Sequence, residues 1–135
     1  MRLLTIIGCC IALAACSTTP KDLEQKTQPV IKSYAENYQE IYRRLSTTAK
    51  RCLAGNMSAY SSMAVDAQLY PDLGFGEVTV SLIDMGIRNY YFSAKVEKVD
   101  TGARLTVHSG NSLGATRLSD QSLRWADGDE ECPLF

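Results

Sequence analysis

From Pro29 onward, apolar residues recur at spacings of three and four: Ile31, Tyr34, Tyr38, Ile41, Leu45 and Ala49. That is the period of a helix with one buried face. Lys32, Glu36, Glu40 and Arg44 fall on the other side, and Glu40 before Arg44 is the favourable ion-pair order. Pro29 suits a first turn, Lys50 and Arg51 suit a last one, and Gly55-Asn56 can end the helix. The spacing predicts one long N-terminal helix, about six turns from residue 29 to 51.

Beyond it the period falls to two. Met63, Val65, Ala67 and Leu69 alternate with Ser62, Ala64, Asp66 and Gln68; Val78, Val80 and Leu82 alternate with Glu77, Thr79 and Ser81. Phe92, Ala94 and Val96 alternate with Tyr91, Ser93, Lys95 and Glu97; Leu105 and Val107 alternate with Arg104, Thr106 and His108. Short turn segments at Tyr70–Gly74, Asp84-Met85-Gly86 and Asp100-Thr101-Gly102 join these stretches. Connections that short force antiparallel neighbours. Each strand has one apolar face, so the sheet needs a cover on one side, and the long helix supplies it. Leu118, Ser122 and Trp125 share a helical face, with Ser119 as N-cap and Gly128 as stop, which predicts a short C-terminal helix over 119–127. The expected fold is α+β: a four-stranded antiparallel meander packed on a long N-terminal helix, with a short C-terminal helix.

The first residues follow a different plan. Arg2 precedes an apolar stretch from Leu3 to Leu13, and small residues follow it. This is the layout of a secretory signal, and about eleven apolar residues fall short of the roughly twenty that span a bilayer. The stretch ends in Leu13-Ala14-Ala15-Cys16. An aliphatic residue, two small residues and a cysteine resemble the lipobox of bacterial lipoproteins. The resemblance implies a diacylglyceryl group on the Cys16 thiol, cleavage between Ala15 and Cys16, and an acyl chain such as palmitate on the freed amine. Cys9 and Cys10 are competing acceptors, but Cys9 would leave an apolar core of only about six residues, below the usual ~7–15. In that family an aspartate after the cysteine favours inner-membrane retention. Ser17 therefore implies the outer membrane, with the domain facing the periplasm.

The signal reading divides the chain into a signal peptide (1–15), a lipidated flexible tether (16–28) and one α+β domain (29–135). The polar stretch STTPKDLEQKTQ carries no pattern, and as a random coil it reaches about 20 Å. Of 14 Lys and Arg, only Arg2 leaves with the signal, so the mature chain sets 13 basic against 15 acidic residues. No basic excess exists to draw nucleic acid or an anionic surface. Of five cysteines, Cys52 and Cys132 remain once the signal and the lipid site are subtracted. In an oxidising envelope such a pair reads as one disulfide. A free nucleophilic or metal-binding thiol is the competing reading.

Candidate chemistry is sparse. His108 is the only histidine, and its parity puts it on the polar face of the last strand as an exposed residue. No G-x-S-x-G elbow accompanies it, no Gly-rich phosphate loop occurs, and a lone histidine makes a poor metal site. Asp127-Gly128-Asp129-Glu130-Glu131 lacks the spacing of an EF-hand loop and reads as a solvated turn. Glu36 and Glu40 lie one turn apart among basic neighbours and read as charged surface. Tyr34 and Tyr38 read as core, with Tyr42 beside them. Tyr60, Tyr70, Ile83 and Tyr91 fall on or near the polar side of the sheet and form a possible partner patch.

No cofactor, metal or catalytic residue is implied. The expected function is non-catalytic: a lipid-anchored binding or accessory module that meets a protein partner at the membrane surface. The alternatives are a sensor or assembly factor that takes a partner strand at its sheet edge, and a small hydrolase of envelope polymers.

Overall fold

A computed structural model describes residues 19–132. The lipobox, with Ala15 and Cys16, lies outside the described residues. The elements run α1 (Pro20–Lys26), β1 (Val30–Tyr34), α2 (Tyr38–Leu53), β2 (Gly55–Asn56), β3 (Ser61–Tyr70), β4 (Phe75–Asp84), β5 (Ile87–Val99), β6 (Gly102–Ser109) and α3 (Ala115–Ala126).

The four strands read from the period-two pattern are β3 to β6, and they form an antiparallel meander. They are not the whole sheet. It has six strands in the order β1-β6-β5-β4-β3-β2, so the four-stranded expectation is corrected by an added strand at each edge. β2 pairs only Gly55 with Met63 and Asn56 with Ser62, too short to leave a pattern. β1 pairs with β6 from Val30–Val107 to Tyr34–Ala103.

The long N-terminal helix is also corrected. Its start is taken up by β1, and the helix proper begins after Asn37, whose side chain caps it by accepting from Gln39 N at 2.8 Å. Ile31 and Tyr34 are spaced as if they continued the helical stripe, yet Ile31 is 59% exposed on a strand. Alternation in β1 puts Val30, Lys32 and Tyr34 on the covered face, and a lysine there hid the strand pattern. Lys32 reaches out of that face to Asp127 at 2.7 Å. Burial, and then the charge of Asp127, pushes the Tyr34 phenol well above its ordinary range.

Tyr38, Ile41, Leu45 and Ala49 of α2 pack with Trp125 and Ala126 of α3 on Val78, Val80, Phe92, Ala94, Val96, Leu105 and Val107. This is the core, on one face of the sheet. The Tyr42 ring packs against Gly76, where a Cβ would come within 2.4 Å of it. On the solvent side Arg44 bridges Glu36 and Glu40 at 3.1 and 3.0 Å, while Arg43 holds the Glu40 carboxyl down to about 2. α3 starts four residues before the expected boundary. Gly114 is its N-cap position, and Ser119 is a buried residue inside it.

Cys52 and Cys132 form the expected disulfide, with Cα atoms 5.2 Å apart. It fastens the C-terminal tail to the last turn of α2.

Candidate functional site

The segment read as a flexible tether contains α1. Thr19 and Asp22 form a capping box, and Pro20 opens the first turn. The hydrogen bond from the Thr19 backbone holds Asp22 below the usual carboxylate range. Leu23 is fully buried but does not belong to the core cluster. It is buried on the other face of the sheet. Ser93 and His108 have the parity opposite to Ala94 and Val107. Ser93 Oγ donates to Glu24 at 2.9 Å, and His108 Nδ1 lies 3.1 Å from Thr27 Oγ1. Gly110 completes the seat: a Cβ there would come within 2.7 Å of Thr27 and 3.1 Å of Leu23.

His108 is thus half-buried under α1 rather than exposed, and Ser93 is its cross-strand partner. Nucleophilic catalysis needs the base hydrogen-bonded to the nucleophile. Here the serine is bonded to Glu24 and the histidine faces Thr27, so these polar groups act as a latch for α1. Burying Leu23 is worth about 2 kcal/mol. Leu23→Asp should therefore open α1 and raise the rate of native-state tryptic cleavage at Lys26 by roughly 30-fold. An unchanged rate would show that α1 is not held through Leu23.

The acidic run is spoken for within the fold. Asp127 pairs with Lys32, Asp129 pairs with Arg124 at 2.7 Å and accepts from Glu131 N, and the Glu130 carbonyl accepts from Arg51. Among the described residues no group of three or more His, Cys, Asp or Glu could hold a metal ion. Nor is any described helix long and apolar enough to cross a membrane. An open cleft of about 490 Å³ lies where α2 begins, beside Tyr38, Pro71, Lys98 and Asp100. Its two charged groups are of opposite sign, and it shows no preference for a ligand charge.

The four residues expected to form a partner patch do not meet. Tyr60 and Ile83 line one shallow depression with Asn56 and Ser62. Tyr70 sits at the far end of β3, its ring tilted against Phe75 with centroids 4.9 Å apart. Tyr91 is half-buried near α1, its carbonyl accepting from Gly110 N at 3.0 Å. The register shifts between Val80 and Ser81, so that Tyr91 opposes no residue of β4. Tyr91 lies on the face opposite the core, as its parity predicts, but there α1 covers the sheet.

Sequence reasoning missed the companions of Tyr60. Met57 and Tyr60 are 64% and 77% exposed in the β2–β3 loop; Met85 and Ile87 are 81% and 58% exposed at the β4–β5 turn. Met85 N donates to the Tyr60 carbonyl at 3.0 Å, and Ser61 pairs with Asp84, so the two loops form one apolar tip. A signal was present in the turn itself. Met85 and Gly86 both have positive φ, 48° and 82°. Two-residue hairpin turns of that kind favour Asn-Gly or Asp-Gly. A methionine there breaks the local rule, and such breaks concentrate at functional positions.

At the sheet edges, β1 is five residues long, whereas β3 is ten. β2 covers β3 only at Ser62 and Met63. The Ser61 carbonyl accepts from Met57 and Ser58 on the β2 side, which fixes the direction of the odd-numbered residues. Val65, Ala67 and Leu69 therefore turn their N–H and C=O groups away from β4. Among the described residues no strand takes them up. From Ala64 to Tyr70 this open edge runs about 20 Å.

No protein-family model, curated protein or solved structure matches the chain.

Proposed function

We propose that this protein is a lipid-anchored module of the bacterial cell envelope, held through Cys16 at the outer membrane and facing the periplasm. It works by binding: a partner chain adds a strand along Ala64–Tyr70 of β3. The open edge carries this reading. Unpaired backbone groups along a long edge are a template for another strand, and proteins that do not use such an edge blunt it. At the other edge, β1 is short. On β3 the outward groups belong to Val65, Ala67 and Leu69, with no proline among them.

The lipobox resemblance supplies the anchor and the compartment. The Cys52–Cys132 disulfide accords with an oxidising compartment.

Ala67→Pro tests the edge with little effect on the fold, because the lost N–H points away from β4 and proline is tolerated on an edge strand. A photo-crosslinking residue at Gln68 should give a discrete adduct in intact cells. Adding Ala67→Pro should reduce that adduct by roughly tenfold, while the urea midpoint shifts by no more than about 1 kcal/mol equivalent. An adduct that survives Ala67→Pro in full would reject strand addition.

A further inference from the structure

The docked helix changes the geometry of the anchor. With residues 16–28 as a coil, the domain would float about 20 Å from the lipid. α1 instead begins at Pro20, capped by Thr19, and is seated on β5 and β6 through Leu23, Glu24 and Thr27. Only two residues, Ser17 and Thr18, separate Thr19 from Cys16, a span of about 10 Å at full extension. A chain lipidated at Cys16 holds the start of α1, and the part of the domain next to it, close to the bilayer.

α1 lies level with Tyr91 to Ser93 of β5, and the turn at Met85-Gly86 is at most about 23 Å further along that strand. In that direction, beyond the loop that carries the exposed Leu113, lies the apolar tip of Met57, Tyr60, Met85 and Ile87. Its composition suits the zone between headgroups and acyl chains, where a tyrosine keeps its hydroxyl wet and flexible apolar chains enter the hydrocarbon. The strained Met85 points the same way. Asparagine adopts the left-handed conformation more readily than methionine, so the turn would be more stable with asparagine. With a mature net charge of −2, attraction to anionic lipid is not the driving term.

We propose that the tip formed by Met57, Tyr60, Met85 and Ile87 enters the interfacial layer of the phospholipid bilayer that carries the Cys16 anchor. It makes a second, non-covalent contact that fixes the orientation of the domain. This rests on the lipid-anchor reading. The contact sets β3 with its Ser61 end toward the membrane and its open edge running away from it.

The test uses the lipidated full-length protein reconstituted into phosphatidylcholine vesicles, with and without acyl-chain bromination. Tyr60→Trp reports on the tip, and Leu73→Trp reports on an exposed site at the opposite end of the sheet. Trp125 is buried and serves as the constant background. Brominated lipid should quench the added Tyr60→Trp emission about twofold or more and leave the Leu73→Trp emission within about a tenth. Met85→Asn should weaken the Tyr60→Trp quenching by about half while leaving the urea midpoint equal or higher, since asparagine suits the turn. If the wild type fails to float with the vesicles, the anchor reading falls and this proposal with it. If it floats but Tyr60→Trp is quenched no more than Leu73→Trp, the anchor stands and the tip contact is overturned, leaving the tip as a surface for protein.

Discussion

Replacing Cys52 and Cys132 together by serine should destabilise the domain by about 4 kcal/mol, a fall of about 2 M in the urea midpoint. The disulfide spans 80 residues, a loop that takes in β2 through α3 and so most of the sheet. On the chain-entropy view its effect lies in the unfolded ensemble, where it removes the extended arrangements of that loop. The double variant is the right comparison, because a single substitution leaves a lone thiol. Folded-state contacts set a floor. Arg124–Asp129 and the hydrogen bonds to the Glu131 carbonyl hold the tail on the same path without the bridge. The native topology should therefore persist at low denaturant, and wild type reduced with dithiothreitol should unfold near the double variant. A loss under about 1 kcal/mol would mean that the tail contacts, not the loop constraint, carry the tail's contribution.

The pairing was legible because it needed only a compartment and a count. The central strands were legible because each buries one face, so that Val78 and Val80, or Leu105 and Val107, alternate visibly with polar residues. β1 was not. Its inner face is Val30, Lys32 and Tyr34, and a lysine that reaches sideways to Asp127 breaks the alternation. Tertiary pairing with β6 overrode a helical spacing that ran on by coincidence through Ile31 and Tyr34. The cap was the better witness: Asn37 marks the start of α2 by its side-chain chemistry.

α1 failed to register for another reason. Seven residues carry too little periodicity, and only Leu23 is buried. The capping box of Thr19 and Asp22, with Pro20 between them, was the available signal. The same limit applies to the site. Tyr60, Tyr70, Ile83 and Tyr91 were grouped by face alone, without position along the strands. Met85 was read as part of a turn, whereas its misfit to that turn was the informative fact. The arrangement we propose joins the docked α1, the tip and the β3 edge: anchor and tip at the bilayer, and the open edge leading away from it.

Trp125→Ala should cost about 3–5 kcal/mol, the usual range for deleting a buried aromatic ring from a core that cannot collapse around it. Its ring is sealed with Ala126 between the α2 stripe and the sheet, and its Nε1 donates to the Glu131 carbonyl at 2.8 Å. Two terms are therefore lost, a cavity term and a tail contact of about 1 kcal/mol. Trp125→Phe separates them by keeping most of the volume and dropping the donor, with an expected cost of about 1–2 kcal/mol. The tail term should depend on the disulfide. In the double serine variant the tail is already freer, so Trp125→Ala should cost about 0.5–1 kcal/mol less there than in wild type, measured by a urea double-mutant cycle. Strict additivity would show that the ring and the tail are energetically separate. The change lies on the α2–α3 side of the sheet, opposite α1. Among molecules still folded, Tyr60→Trp quenching and the Gln68 adduct should persist. Loss of either in the folded fraction would mean that the helical layer shapes the tip or the edge.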